Sequence, residues 1–253
     1  MTEKGNRSEQ AYLALRRAII EQAIRPGDKL REDELGALFG MSRTLVRQIL
    51  GRLNAEGLVT IGGKRPATVV TPSLDDALAV FEVRRALERE VIELVMKRWK
   101  PEYAKTLEAH VEEEVAASGA GKERVSIRLA GEFHALLAGM SGNPVLVRYV
   151  SEVVSRCSLI LAVYGRPHSA ECGVQEHREI IRALKAGDVA AARRVMEHHI
   201  GEVEARALIA TQAEESRSLG DVLANYVRNA GRDKPASGSV TRVPKSGARK
   251  ERR

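Results

Sequence analysis

Three histidines, His134, His177 and His199, are the residues of this sequence best suited to chemistry, because each lies on the apolar face of a different predicted helix. A single imidazole on such a face is more often a hydrogen-bonded core residue than a ligand. Three imidazoles from three helices are typical of a divalent-metal site, for zinc or a similar ion, or of a polar effector pocket. The residues alone leave a site and three core histidines open as interpretations. His110 and His168 are expected on the surface or in loops.

Arg84 is a second candidate for ligand binding, on the first predicted helix of the same region. A guanidinium binds a carboxylate through two parallel hydrogen bonds, which favours Arg84 as the anchor of an acidic effector. Glu88 follows four residues later, so an ordinary salt bridge along the helix is an equal alternative.

A third polar cluster lies at the start of a predicted helix that runs from an N-cap at Ser42 to about residue 56. The cluster consists of Arg43, Thr44, Arg47 and Gln48. The opposite face of this helix is apolar, with Leu45, Val46, Ile49, Leu50 and Leu53 on one arc. Arginine, amide and hydroxyl side chains are the groups that reach bases and phosphates in the major groove. The pattern therefore predicts a recognition helix.

The segments around this helix predict a winged helix-turn-helix. An amphipathic helix with Leu13 and Ile20 on one face ends in the turn signal Arg25-Pro26-Gly27-Asp28, and a short helix follows over residues 34–39. After Gly57, two β-prone pieces, residues 58–61 and 67–70, are joined by Gly62-Gly63-Lys64-Arg65-Pro66. A hairpin with a basic, glycine-rich tip suits a wing against the DNA backbone or minor groove.

From residue 74 onward, apolar residues recur at helical spacing, which predicts an all-α bundle. The expected helices span residues 74–97, 102–117, 123–140, 144–164, 171–185 and 188–214. The fold class is thus mainly α, with a winged helix-turn-helix over residues 1–72, an all-α bundle over 73–215, and a basic, disordered tail over 216–253.

Composition and charge support this division. The chain has 253 residues and a net charge of +7, distributed as +4 over residues 1–72, −4 over 73–227 and +7 over 228–253. A 43% apolar content supports a core, whereas 4% aromatic residues disfavour a base-stacking RNA platform. The longest apolar run lies within residues 157–164 and is too short for a membrane span. Two cysteines and the charged first 25 residues predict a cytoplasmic protein without a disulfide framework.

The N-terminal segment resembles the DNA-binding domain of GntR-family bacterial transcription regulators. The resemblance lies in the run from Ile24-Arg25-Pro26-Gly27-Asp28 through Met41-Ser42-Arg43-Thr44-Leu45-Val46-Arg47 to Leu53-Asn54-Ala55-Glu56-Gly57. It implies that DNA is contacted by Arg31, Arg43 and Arg47, that Ser42 and Thr44 bind phosphates, and that Gly63 lies at the wing tip beside Lys64. Relatives usually have proline at position 45, and we expect the leucine here to cause no loss of function.

The remainder is similar to the FCD effector domain of the FadR subfamily, through Glu82-x-Arg84-x-x-Leu87-Glu88, Phe133-His134, Gly142-Asn143-Pro144, Glu176-His177 and Met196-x-x-His199. Metal-binding FCD domains add an aspartate four residues before the first histidine, and Ala130 occupies that position. The resemblance implies a divalent-metal site made by the three histidines, with water or an effector carboxylate at the open positions. A metal-free pocket that uses the imidazoles and Arg84 is the alternative.

These observations favour a ligand-responsive regulator: a homodimer that represses from a palindromic double-stranded operator and is controlled by a small organic acid. Two alternatives belong to other classes. One is a metal-dependent enzyme, against which no carboxylate at Glu-x-x-His spacing offers an evident general base. The other is a nonspecific nucleoid-type DNA coat, suggested by the basic tail and opposed by the base-reading face at Arg43 and Arg47.

Overall fold

The N-terminal part of the computed structural model is a small helical unit with a three-stranded sheet. The structure describes residues 3–63, 65–165 and 171–214. The elements up to residue 69 are, in chain order, α1 (Glu3–Ile20), β1 (Lys29–Leu30), α2 (Glu32–Phe39), α3 (Arg43–Ala55), β2 (Val59–Thr60) and β3 (Ala67–Val69).

Helix α3, the predicted recognition helix, has the ends and faces that the sequence predicts. The Ser42 side chain accepts a hydrogen bond from the Leu45 amide and caps its start. Its buried residues are Val46, Ile49, Leu50 and Leu53, while Arg43 and Arg47 face solvent. The preceding helix, α2, ends at Gly40, whose left-handed conformation (φ 62°) costs glycine little.

The sheet corrects the expectation of a two-stranded hairpin. Strand β1, which the sequence analysis missed, pairs with β3 in antiparallel fashion, so the strand order is β1-β3-β2. Lys29–Leu30 is too short to show an alternation of apolar and polar residues. Its strand conformation depends on pairing with residues 67–68, which no local pattern reveals.

Two N-terminal helix limits also differ from expectation. Helix α1 ends at Ile20, before the predicted turn at residues 25–28, and Gln22 then adopts a positive φ of 56°. Helix α2 begins at Glu32 instead of residue 34, so its first turn contains three acidic residues. Acidic side chains stabilise the positive end of the helix dipole there, which favours the earlier start.

The rest of the described chain is the expected all-α bundle. Its helices are α4 (Leu74–Lys97), α5 (Pro101–Gly119), α6 (Glu123–Met140), α7 (Pro144–Tyr164), α8 (Glu171–Lys185) and α9 (Val189–Glu214). Four of these, α4, α6, α7 and α8, have the predicted limits, and side chains cap the start of two of them. Ser73 and Asp76 form a capping box before α4, and Asn143 caps α7 ahead of Pro144.

Two apolar cores stabilise these parts, and helix α7 contributes to both. The larger core lies inside the bundle and includes Phe81 and Phe133, both fully buried. The smaller core lies between α1, α3 and the sheet and also contains Leu159 from α7. Residues up to Gln212 form one compact unit, and the second unit, Ala213–Arg253, lies almost wholly outside the described residues. Among the described helices, none is both long and apolar enough to cross a membrane.

Candidate functional site

The structure brings His134, His177 and His199 together in the bundle interior. They project from α6, α8 and α9, and one ring nitrogen of each lies within 4.8 Å of the others. Their exposed fractions are 2%, 0% and 4%. The neighbouring His198 on α9 points about 100° away from His199 around the helix, and its side chain is 66% exposed.

A glutamate binds the Nδ1 atom of each of the three histidines. His134 donates to Glu88 of α4 at 2.5 Å, and His199 donates to Glu176 of α8 at 2.6 Å. His177 donates to Glu114 of α5 at 3.0 Å. The carboxylates orient the rings and place the remaining proton on Nδ1, so each Nε2 presents a lone pair.

The Nε2 sides of the three rings lie close together in the bundle interior. Nε2 of His134 lies 3.2 Å from Nε2 of His199. Nε2 of His177 is buried and has no hydrogen-bond partner among the described residues. Two lone pairs at this distance repel unless a cation lies between them, and a buried unpaired acceptor is costly.

Burial keeps the imidazoles of His134 and His199 neutral in the metal-free protein. It lowers the pKa of His134 to about 4, although the adjacent Glu88 carboxylate favours the charged ring. Burial likewise lowers the pKa of His199 well below its ordinary value. Burial alone would raise the pKa of Glu88, but His134 and Arg84 together lower it to about 2. Protons therefore compete weakly for the ring nitrogens at neutral pH.

The three histidines fit a divalent metal ion. Two nitrogens bound to one tetrahedral zinc at about 2.0–2.1 Å lie roughly 3.3 Å apart. The 3.2 Å between Nε2 of His134 and Nε2 of His199 meets this requirement. The ring nitrogen of His177 lies within 4.8 Å of these two atoms, so a small movement of its side chain would bring it into the same coordination sphere. Ala130, one helical turn before His134, is half-buried in the cavity wall and supplies no ligand.

Arg84 forms the salt bridge with Glu88 and also lies in the wall of a cavity that could hold a ligand. Its Nε donates to Glu88 at 2.7 Å, and both side chains are buried. Arg84 also lines a cavity of about 240 Å³ that borders the three histidines. Glu88 therefore binds both Arg84 and His134, and it holds the Arg84 guanidinium in the cavity wall close to the His134 ring.

The cavity extends from the histidines to the N-terminal domain. Its lining comes from the bundle helices and also from Arg16 and Ile20 of α1. Polar groups at that end of the wall also come from Arg128, Ser151 and Ser155. A volume of this size suits a small organic molecule.

The candidate DNA-binding surface is exposed and internally ion-paired. Arg43 pairs with Asp33 at 2.7 Å, Arg47 with Glu32 at 2.8 Å, and Arg31 with Glu34 at 3.6 Å. The arginine side chains are 61–70% exposed, so these pairs are weak and can be exchanged for phosphate contacts.

The other predicted DNA-binding residues lie around the same surface. Ser42 and Thr44 are exposed at the start of α3, and Gly63 is exposed in the wing. Lys64 lies outside the described residues, as does the basic tail over residues 228–253.

Sequence reasoning missed the glutamates that bind the histidines. Glu88 and Glu114 are buried. Their positions on apolar helix faces are the signal in the sequence that could have indicated this burial. His110 is also corrected: it is half-buried on α5, and its Nε2 bonds the Leu129 carbonyl oxygen at 2.8 Å. Its apolar helix neighbours could have indicated this. His168 lies outside the described residues.

Comparison with known families assigns both parts of the chain. Residues 7–69 match the bacterial regulatory proteins of the gntR family, and residues 79–202 match the FCD domain. The chain belongs to the GntR family of bacterial transcription regulators and carries an FCD domain. The matches give no support to the metalloenzyme or the nucleoid-type coat.

Individual relatives of this GntR-family chain agree with the assignment. It is 29% identical over 188 residues to an uncharacterized HTH-type transcriptional regulator, YdhC, of Bacillus subtilis, covering 73% of this chain and 83% of that protein. It is 27% identical to the HTH-type transcriptional repressor NanR of Edwardsiella tarda, over 78% of this chain and 83% of that protein. The solved structure of E. coli McbR/YncC shares the fold, with a TM-score of 0.73 at 22% identity, covering 85% of this chain and all of that one.

Proposed function

We propose that this GntR-family regulator is a homodimeric repressor that binds a palindromic operator and is released by a small carboxylate effector. We further propose that the effector binds beside a divalent metal ion, zinc or similar, held by His134, His177 and His199. The observation that carries the proposal is the convergence of three buried Nε2 lone pairs on a cavity bordered by Arg84.

The DNA-binding part of the proposal rests on α3 and the wing. Arg43 and Arg47 extend into solvent from the first turns of a helix whose other face is anchored in the core. Such a helix start can enter a major groove, with Arg31, Ser42 and Thr44 beside it and Gly63 in the wing. Lys64, the next residue in the sequence, is included in the proposed DNA contacts.

Dimerisation is supported by apolar side chains left exposed on the bundle. Leu78 and Val83 on α4 are 44% and 48% exposed, and Val145 and Tyr149 on α7 are 59% and 44% exposed. Val145 and Tyr149 are four residues apart and so lie on one face of α7, where a protein interface would bury them. A two-fold dimer would present two recognition helices to a palindromic operator.

The effector part rests on the chemistry of the ligand set. A metal held by three histidines would supply Lewis-acid coordination for a carboxylate oxygen at its open position. Glu88, Glu114 and Glu176 orient the imidazoles, and Arg84 offers charge to the same anion. These groups bind and orient a ligand, so we propose no enzymatic activity, and we place the protein in the cytoplasm with the bacterial DNA.

Elemental analysis of purified protein, paired with operator binding, tests this function. We expect about one divalent metal per chain in the wild type and in His198→Ala, the matched control with an exposed neighbouring histidine. His177→Ala should lose the metal. A selected palindromic duplex should bind the wild type and be released by small carboxylates only in proteins that retain metal. Equal metal content in the two variants, or carboxylate release from metal-free protein, would contradict the metal-dependent site.

A further inference from the structure

Arg16, a residue of the first helix of the DNA-binding domain, lies in the wall of the effector cavity. Its Nη2 donates to the Ser155 hydroxyl of α7 at 2.5 Å. Its Nε donates to Glu56 at 2.9 Å. Ser155 also lines the cavity, so the guanidinium is bound to the cavity wall on one side and to the DNA-binding domain on the other.

The end of the cavity near Arg16 contains a second guanidinium, that of Arg128, and lies apart from the histidines; each of the two guanidinium groups is paired with carboxylates. Arg128 lines the wall and lies six residues before His134 on α6, a rise of roughly 9 Å along the helix. Arg128 is held by Glu21 of the DNA-binding domain at 2.8 Å and by Glu132 at 2.5 Å. The cavity therefore offers one anion-binding position at the histidines and Arg84, and another at Arg16 and Arg128.

We propose that the effector is a small dicarboxylate, and that Arg16 binds its second carboxylate. This inference rests on the proposed function, because the first carboxylate is the one bound at the histidine end. Two carboxylates joined by a few carbon atoms, with a hydrogen bond of about 3 Å at each end, have a length comparable with the rise of roughly 9 Å from Arg128 to His134. The neutral Ser155 hydroxyl is a weaker partner for a guanidinium than a carboxylate is, so an entering anion replaces it at Nη2.

The position of Arg16 gives this contact a route to the DNA-binding surface. Glu56 is the C-cap residue of the recognition helix α3. Its carboxylate accepts hydrogen bonds from Arg16 and from Tyr12, and its backbone carbonyl accepts one from Arg156 of α7 at 3.1 Å. Movement of Arg16 toward a bound carboxylate weakens its bond to Glu56, because both anions then share one guanidinium. The effector thereby loosens the end of the recognition helix.

The guanidinium of Arg156 makes a close contact with the chain at this point. Gly57, which follows Glu56, has a φ of 73°, and a Cβ there would collide with the guanidinium of Arg156. The end of α3 is thus pressed against α7 next to Ser155. A change in the bonds of Arg16 or Ser155 is transmitted to α3 through this contact, since packed interfaces shift as units.

Calorimetry on the zinc-loaded full chain tests the assignment with matched acids. The probes are unbranched dicarboxylates of three to six carbons, each paired with the monocarboxylate of the same length. In the wild type we expect one dicarboxylate to bind about tenfold to a hundredfold more tightly than its monocarboxylate, the range expected for one charge-assisted hydrogen bond. Arg16→Gln should remove this preference and leave monocarboxylate affinity unchanged.

Two further variants separate binding from folding. Arg52→Gln is the matched control, because Arg52 also links α3 to α1 through Glu9 but does not line the cavity. It should behave as the wild type. Ser155→Ala removes the competing hydroxyl and should strengthen dicarboxylate binding, a change opposite in sign to that expected from damage to the fold.

The outcomes distinguish this inference from the proposed function. If mono- and dicarboxylates bind equally to the wild type, or if Arg16→Gln keeps the dicarboxylate preference, the role of Arg16 is wrong while the carboxylate effector stands. If neither class binds the zinc-loaded wild type, the carboxylate effector and the role of Arg16 both fail. Weaker operator binding by effector-free Arg16→Gln, with no further loss when the dicarboxylate is added, would support the route through Glu56. Operator affinity equal to that of the wild type would contradict this route.

Discussion

At the scale of residues, the candidate metal site depends on carboxylates that hold the Nδ1 side of each imidazole. Glu114 holds His177 through Nδ1 and is itself buried, with a 2% exposed side chain. Without this partner, the His177 ring can rotate and the Nδ1 proton has no acceptor. Partners of metal-binding histidines typically contribute about 10- to 100-fold to metal affinity.

Glu114→Gln is therefore predicted to weaken zinc binding by about 10- to 100-fold, measured by competition with a chelator of known affinity. Glu113→Gln is the matched control, since Glu113 is the exposed neighbour on α5. Zinc affinity unchanged from that of the control would show that Glu114 does not orient a metal ligand.

The buried histidines also predict how the stability of the metal-free protein depends on pH. The pKa of His134 is lowered to about 4, and that of His199 is lowered well below 6.5. Between these values and about 6.5 the unfolded chain binds more protons than the folded one, so the free energy of unfolding falls as the pH falls. Thermal unfolding with a chelator present should show a lower midpoint at pH 5 than at pH 7. A midpoint that rises toward pH 5 would indicate that these imidazoles are charged in the folded protein.

At the scale of elements, the recognition helix begins beside an acidic helix start. Glu32, Asp33 and Glu34 in the first turn of α2 pair with the three arginines predicted to bind DNA. These acids stabilise α2 at its positive end and hold the arginines near the DNA-binding surface. Phosphates must displace them when DNA binds.

Asp33→Asn is predicted to raise affinity for any duplex up to about fivefold, because exposed ion pairs contribute about 1 kcal/mol or less. Fluorescence anisotropy with an operator and a scrambled duplex measures the effect. Asp75→Asn changes the net charge equally from an exposed position at the start of α4 and should have a smaller effect. Weaker DNA binding by Asp33→Asn would instead mean that Asp33 positions Arg43 for its DNA contact.

At the scale of the whole molecule, the two domains share structure through α7. Leu159 belongs to the core of the DNA-binding domain, whereas Cys157 and Ile160 belong to the bundle core. Ser155 and Arg156, on the same turns, bind Arg16 and the Glu56 carbonyl. A single helix thus connects the effector cavity to the end of the recognition helix.

The basic segment over residues 228–253, with a net charge of +7, adds a prediction for the intact chain. Its deletion should reduce the slope of the logarithm of DNA affinity against the logarithm of salt concentration, by about one for each phosphate that the segment neutralises. The preferred operator sequence should not change. Binding titrations at several salt concentrations, with selection of duplexes from a random pool, measure both quantities. A changed consensus would show that the segment reads bases.

Local signals in the sequence were enough to predict most elements of this protein and their chemical character. Helix limits at residues 74–97, 123–140, 144–164 and 171–185 follow from periodicity and from caps such as Ser73 and Asn143, because these signals act within a few residues. The interior direction of three histidines follows from the same periodicity. The family followed from motifs that extend over most of the chain.

Which groups meet in the folded protein could be seen only in three dimensions. The glutamates on His134, His177 and His199 lie 46, 63 and 23 residues away in sequence, and Arg16 meets Ser155 across 139 residues. Strand β1 likewise depends on its partner β3. Such contacts arise from the packing of distant helices and strands, and helical periodicity specifies the face on which a side chain lies but not the partner that the face meets.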